Sequence, residues 1–337
     1  MPQASSLPSP ALLMQLALAH RSSAVLFAAV DLDIFSTLAE GAMTADAIAA
    51  RAKSALEPTR LLLEACVSEG LLTKDGDRFV NTPVVDAFLV KGRPAYSERG
   101  IKYAEDLSMA WGRLSDLVRS GRPPMPPETI LGDDEEKTRN FVLAMHERAH
   151  GIGSILAHLT DLSGRRRLLD VGGGPGTYSV ALVRKNPGLS ATVLDVPGVL
   201  KVTRELIDAS GVADRITLMP GDYLRSPFGS GYDVTLLSGM MHRETHANCR
   251  LLLRKTFDAL EPGGLVIVSD VFFDDDSKRS PIFTVYFALN MMLTSDEGSA
   301  HAKTEMARWM SEVGFIDVQT RELPKPNAHT LVLGTKP

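Results

Sequence analysis

One stretch constrains this chain more than any other: Leu168-Leu169-Asp170-Val171-Gly172-Gly173-Gly174-Pro175-Gly176-Thr177. An apolar run breaks into glycines and then opens a helical pattern from Tyr178 to Arg184. Glycines at such a bend let the backbone turn sharply and let a ligand approach main-chain atoms. Downstream, short apolar runs (TVLD at 192–195, ITLMPGD at 216–222, YDVTLLS at 232–238, GLVIVSDVFF at 264–273) alternate with helical segments. That alternation predicts a parallel sheet wrapped by helices, with the ligand at the carboxyl end of its first strand. The last run, HTLVLGTK at 329–336, reads as one more strand, at the edge of the sheet.

The loop is poorly suited to phosphates. A dinucleotide fingerprint counted from Gly172 needs a third glycine at position 177, which is threonine, and a P-loop needs a lysine that is absent here. Acidic residues stand at the ends of the two following strands instead. Asp195 ends the second strand, where a carboxylate can accept hydrogen bonds from both ribose hydroxyls. Asp222 and Tyr223 follow the third, where they can bond an adenine amino group and cover its ring. A glycine loop with acid behind it suits a nucleoside without phosphates, and S-adenosylmethionine is the ligand this predicts.

The N-terminal part reads differently. Residues 11–38 carry a helical pattern rich in leucine and alanine. Residues 44–90 read as a winged helix: a helix capped by Thr44, a second through 60–69 that stops at Gly70, and a hairpin around Asp75-Gly76. Acidic residues outnumber basic ones over this segment, and the whole chain of 337 residues carries a formal charge of −5. Nucleic-acid affinity rests on cations that meet phosphates, so DNA binding is not expected. Residues 101–162 read as mostly helical, interrupted by a proline-rich loop at 122–128. Two cysteines build neither a disulfide framework nor a Cys-rich zinc site. No secretory signal is legible, and uninterrupted apolar runs are too short to span a membrane, so a cytoplasmic protein with no membrane partner is expected.

The run DVGGGPGTYSVAL, with TVLDVPGV, DRITL, GDY, YDVTLLS, His242, LLLRK, PGGLVIVSD and WMSEVGF behind it, closely resembles the S-adenosylmethionine-dependent small-molecule O-methyltransferases. These are the class with an N-terminal dimerisation domain, of plant phenol methylation and bacterial antibiotic pathways. The likeness runs from about residue 12 to the end. It implies an α/β fold: a Rossmann-like, parallel-type methyltransferase sheet with an N-terminal, mostly helical winged-helix dimerisation domain. The expected division is 1–100 for dimerisation and 101–337 for S-adenosylmethionine binding, with a helical linker over 101–162. A homodimer through the helices of 11–38 is implied.

Carried over position by position, the resemblance puts Gly172 and Gly174 at the methionine part of the cofactor, Asp195 at the ribose, and Asp222 with Tyr223 at the adenine. Ser238 stands where the family often has a lysine. His242 falls at the family's general base, and Asp270 at the carboxylate, usually Glu, that orients it. The chemistry suits the residues: a phenol (pKa ~10) is mostly protonated at neutral pH, and an imidazole of pKa ~6.5 can take its proton as attack begins. On its own, a histidine after a strand is more often a plain surface residue. Met145, His146, Met241, Asn290 and Met291 fall in segments that line the family's pocket for an aromatic substrate, with Asn290 the favoured polar anchor. His242 and His246 could share a helix face, but with no third ligand evident no metal is expected. C-methylation, or decarboxylation or hydroxylation with the same cofactor, is the alternative to O-methyl transfer.

Overall fold

A computed structural model describes residues 9–124, 134–325 and 327–337. The N-terminal eight residues and most of the proline-rich loop, from 125 onward, lie outside them. The chain divides into two compact units, Met1–Glu105 and Asp106–Pro337.

The first unit is helical apart from a small antiparallel sheet of β1 (Met43–Thr44), β3 (Arg78–Asn81) and β2 (Leu72–Asp75), in that order. The Thr44 hydroxyl accepts from the Ala47 N–H and starts the helix Ala45–Ala52. The helix Leu56–Ser68 follows, and Gly76, at φ +59°, turns the β2–β3 hairpin. Ile34, Phe35, Ile48, Leu63, Cys66, Leu72 and Phe79 form the buried core of this winged-helix arrangement. Residues Ala11–Asp31 form 21 residues of nearly continuous helix, long and apolar enough by length and composition to cross a membrane. The sequence expectation weighed uninterrupted apolar runs and missed this, because Gln15, His20, Arg21 and two serines divide the stretch without breaking the helix. Leu12, Leu13, Met14 and Leu16 are all more than half exposed.

The second unit is a seven-stranded sheet wrapped by helices, an α/β methyltransferase fold. Its strands are β4 (Arg167–Val171), β5 (Ser190–Asp195), β6 (Ile216–Pro220), β7 (Tyr232–Ser238), β8 (Leu260–Val271), β9 (Ile316–Glu322) and β10 (His329–Thr335). They lie in the order β6-β5-β4-β7-β8-β10-β9, and only β10 runs against its neighbours. Alternate side chains feed opposite faces: Leu169, Leu237 and Val268 enter one buried cluster with Trp309, while Leu168, Leu236 and Ile267 enter the other. β10 is not the edge strand that its position in the sequence suggested. It pairs with β8 on one side and β9 on the other, and the polar, mostly exposed β9 forms the edge. The continuous apolar run Leu331-Val332-Leu333 is the mark of a strand covered on both faces.

Strand order reverses at β4, which has β5 on one side and β7 on the other, all three parallel, and a crevice opens there at the carboxyl ends. Gly173 sits at the bottom of the loop after β4. A Cβ there would lie 2.7 Å from Asp170 Cγ and 2.8 Å from Val193 Cγ1, both held by the sheet. Gly173→Ala is expected to cost on the order of 1–3 kcal/mol, as overpacking does. Thermal denaturation beside the wild type checks this; an unchanged midpoint would show that the loop has room the packing does not indicate.

Candidate active site

The loop after β4 is held by its neighbour strand. The Gly172 N–H donates to the Leu194 carbonyl at 2.8 Å, and the Gly174 N–H donates to Asp195 Oδ2 at 2.8 Å. Asp195 Oδ1 accepts the Val196 N–H. Asp195 is buried, and that burial holds its carboxyl above the usual range despite both N–H donors. Gly172 takes φ +62° and Gly174 φ +51°, conformations that favour glycine. A Cβ on Gly172 would meet the Tyr223 ring at 3.5 Å, whereas nothing lies within 4 Å of the corresponding point on Gly174. The loop therefore presents open backbone beside a carboxylate and an aromatic ring. Asp222 is half-exposed and pairs loosely with Arg225 at 3.5 Å. Ser238 is buried at the end of β7. This donor set fits an adenosine whose tail carries no phosphates: carboxylates for hydroxyl and amino groups, an aromatic face, bare main chain, and no lysine in the loop.

Tyr223 does more than cover a ring. Its hydroxyl donates to Glu244 Oε1 at 2.6 Å, and Asn248 Nδ2 donates to Glu244 Oε2 at 2.8 Å. Burial, with Glu244 beside it, pushes the phenol pKa up. Lys255 donates to the carbonyls of Tyr223 and Ser226 and fixes the turn from below. Neither Glu244 nor Lys255 is singled out by the sequence, since each looks like one more charge on a helical stretch.

His242 and Asp270 are brought together. The His242 ring lies with Nδ1 2.7 Å from Asp270 Oδ1, and the His242 backbone N–H donates to Oδ2 at 3.1 Å. The Val271 N–H adds a third bond, to Oδ1. Burial pushes the Asp270 carboxyl up, but the adjoining His242 charge and these bonds outweigh it and hold the carboxyl below its usual value. An acceptor-only carboxylate at Nδ1 makes that nitrogen the donor and leaves the free lone pair on Nε2. The shorter Asp reaches the ring, and its own loop also donates to it. The Phe287 ring packs edge-on against His242 at 4.8 Å.

Asn290 lies on the same helix as Phe287, Ile282–Thr294, and its Oδ1 accepts from the Trp111 indole N–H at 3.0 Å. Trp111 in turn meets Tyr286 edge-on. Met291 is half-buried beside the cluster of Phe273 and Phe287. Met241 is fully buried in the core with Cys249 and Trp309, so its side chain packs under the loop and is closed to an acceptor. Met145 is half-buried on the helix Glu135–Leu159. His146, one residue on, bonds Thr177 at 2.8 Å and lines a groove of about 680 Å³ with His150, Pro175 and Arg184. His242, Asp270 and Asn290 do not line that groove.

Two histidines that carried no role in the sequence lie close by. His329, on β10, is buried and bonds Ser269 at 3.1 Å. His301 is buried below the His242 loop, where its Nε2 lies 3.0 Å from the Met241 carbonyl and 3.1 Å from that of Glu244. The Ser299 N–H donates to the His242 carbonyl. The pair His242 and His246 does not converge: His242 turns to Asp270, and His246 turns to His301 and Trp309.

Comparison with known proteins shows the family. Residues 111–316 match the O-methyltransferase domain family, and residues 14–91 match the O-methyltransferase dimerisation domain family. The chain is 33% identical, over 97% of its length and 95% of the relative's, to 3-hydroxy-5-methyl-1-naphthoate 3-O-methyltransferase of Streptomyces sahachiroi. It is 32% identical to the tetracenomycin polyketide synthesis 8-O-methyl transferase of Streptomyces glaucescens, over 97% of each chain. The crystal structure of human N-acetylserotonin methyltransferase in complex with S-adenosylmethionine superposes with a TM-score of 0.87 at 28% identity, covering 99% of each chain.

The buried histidines set an acid limit. Burial lowers His329 from 6.5 to about 4, so across that window the unfolded chain binds the proton more readily than the fold does. Stability from this source is present above pH 6.5 and is lost as pH falls towards 4. Asp170, pushed up by burial to about 7, works in the opposite sense as pH rises from 3.8. His329→Gln is therefore expected to lose less stability than the wild type between pH 6.5 and 4, read from denaturant midpoints at each pH. Parallel curves would refute the assignment.

Proposed function

The chain belongs to the S-adenosylmethionine-dependent O-methyltransferase family, and on that footing we propose that it methylates a hydroxyl on an aromatic, polyketide-like small molecule with His242 as general base. The observation that carries this reading is the 2.7 Å contact between His242 Nδ1 and a buried, ionised Asp270. It favours one tautomer, with the proton on Nδ1 and the lone pair on Nε2. The two Streptomyces relatives are named for O-methylation on naphthoate and tetracenomycin skeletons, which supports the acceptor class.

S-adenosylmethionine, when bound, supplies a methyl group that is already electrophilic. The chain's residues do the rest. Gly172 and Gly174 offer main chain to the methionine part, Asp195 holds the ribose hydroxyls, Asp222 and Tyr223 take the adenine, and Ser238 closes the end of β7. His242 Nε2 accepts the proton of the acceptor hydroxyl as the oxygen attacks, and Asp270 stabilises the imidazolium that forms. Phe287, Asn290 and Met291 present a flat apolar surface with one polar group to the acceptor. The Trp111 indole binds Asn290 Oδ1, which turns the amide N–H₂ outward as a donor to an acceptor oxygen.

The dimerisation domain and the exposed leucines of Ala11–Leu18 support a homodimer whose interface covers that helix. Light scattering is expected to give twice the chain mass of 36.4 kDa; a monomer in dilute solution would count against it.

His242→Ala is expected to lower turnover by about 10²–10⁴-fold, the usual worth of a general base, with S-adenosylmethionine affinity nearly unchanged. Product mass with a panel of hydroxylated aromatics and calorimetry of cofactor binding check the two halves. An unchanged rate would remove His242 from the mechanism without touching the family assignment.

A further inference from the structure

We propose that His246, His301 and Glu305 form a binding site for a divalent transition-metal ion of the zinc class, below the His242 loop. One donor atom of each residue lies within 4.8 Å of those of the other two. His246 begins the helix His246–Ala259, Glu305 sits in the first turn of the helix Lys303–Val313, and His301 lies just before that turn. Two imidazoles and a carboxylate are a set that zinc takes, with one coordination position left for water.

The stronger observation is at His301. Its Nε2 faces the carbonyls of Met241 and Glu244 and, at 3.4 Å, the sulfur of Cys249. Carbonyls only accept, so Nε2 carries the proton and Nδ1 keeps a bare lone pair. That Nδ1 is buried and has no hydrogen-bond partner, on a residue only 3% exposed. A buried lone pair without a partner is costly, and a metal ion satisfies it. A ring N–H that donates to main-chain carbonyls is also how metal-bound histidines are usually oriented.

The other two ligands are poised to complete the shell. Glu305 takes the Ala302 N–H and the Lys278 ammonium on Oε2, which leaves Oε1 for a ligand. His246 is exposed, so its side chain can turn inward. Metal–ligand bonds of ~2.0–2.1 Å place tetrahedral ligands ~3.3 Å apart, and rotation of one surface imidazole closes the remaining gap. Lys278, 3.3 Å from Oε2, opposes a cation there, and its partly exposed chain is free to swing away. Because His301 holds the carbonyls on both sides of His242, an ion at Nδ1 would brace the loop that carries the base.

Trp309 reports on the site directly. Its ring lies 5.0 Å from that of His246 and 5.2 Å from that of His301. Tag-free, chelator-treated full-length protein is titrated with Zn²⁺ by calorimetry and with Ni²⁺ by tryptophan quenching. Saturable binding of one ion per chain is expected, with quenching that Zn²⁺ reverses. His246→Ala changes only an exposed side chain and is expected to weaken binding at least ~10-fold, the lower range for loss of a metal-site group. Glu305→Gln should do the same, Lys278→Ala should tighten binding, and His242→Ala should leave it unchanged. Absence of saturable binding, or binding that survives both His246→Ala and Glu305→Gln, overturns the proposal.

Discussion

Asp270 is the group on which the site depends. A carboxylate 1% exposed keeps its charge only if N–H donors surround it, and three do: the His242 ring, the His242 backbone and Val271. Those bonds pull the segment after β7 across the end of β8. The segment then has one conformation, in which Glu244 reaches Tyr223 on the adenosine side and His242 faces the helix of Phe287 on the other. Neutralising Asp270 would thus loosen His242 and, through Glu244 and Tyr223, the ring packed against Gly172 as well.

The fold was legible because it is written in short-range patterns. Apolar runs separated by helical periods announce the sheet, and the loop of 172–176 announces the crevice, since only glycine reaches φ values of +51° to +72° so cheaply. The strand-end acids were legible for the same reason: position along a strand fixes position at the sheet edge. The place of β10 was not, because strand order is set by long-range pairing. A strand that comes last in the chain inserts beside β8 only because its apolar run needs cover on both faces.

The site residues divide along the same line. His242 follows β7 and Asp270 lies near the end of β8, and the resemblance to the family supplied the expected role of each. Trp111 and Asn290 are 179 positions apart, and Cys249 and His301 are 52 apart, so no local signal joins them. Met241 misled because a methionine near a base looks like pocket lining, whereas the next position along the loop faces the opposite way, into the core. His146 and Thr177, 31 positions apart, are likewise joined by no local signal.

His301 and Asp270 hold the same short loop from two sides by opposite means. Asp270 is a buried acceptor that collects donors, and His301 is a buried donor that meets two carbonyls. A second anchor that does not titrate with the reaction keeps the Met241 and Glu244 carbonyls in place while the charge on His242 changes. Burial lowers the His301 pKa, and its other nitrogen is withheld from the reacting centre, which suits it to that constant role. The loop is therefore held at two points, and the Glu244–Tyr223 bond starts from a segment anchored by both.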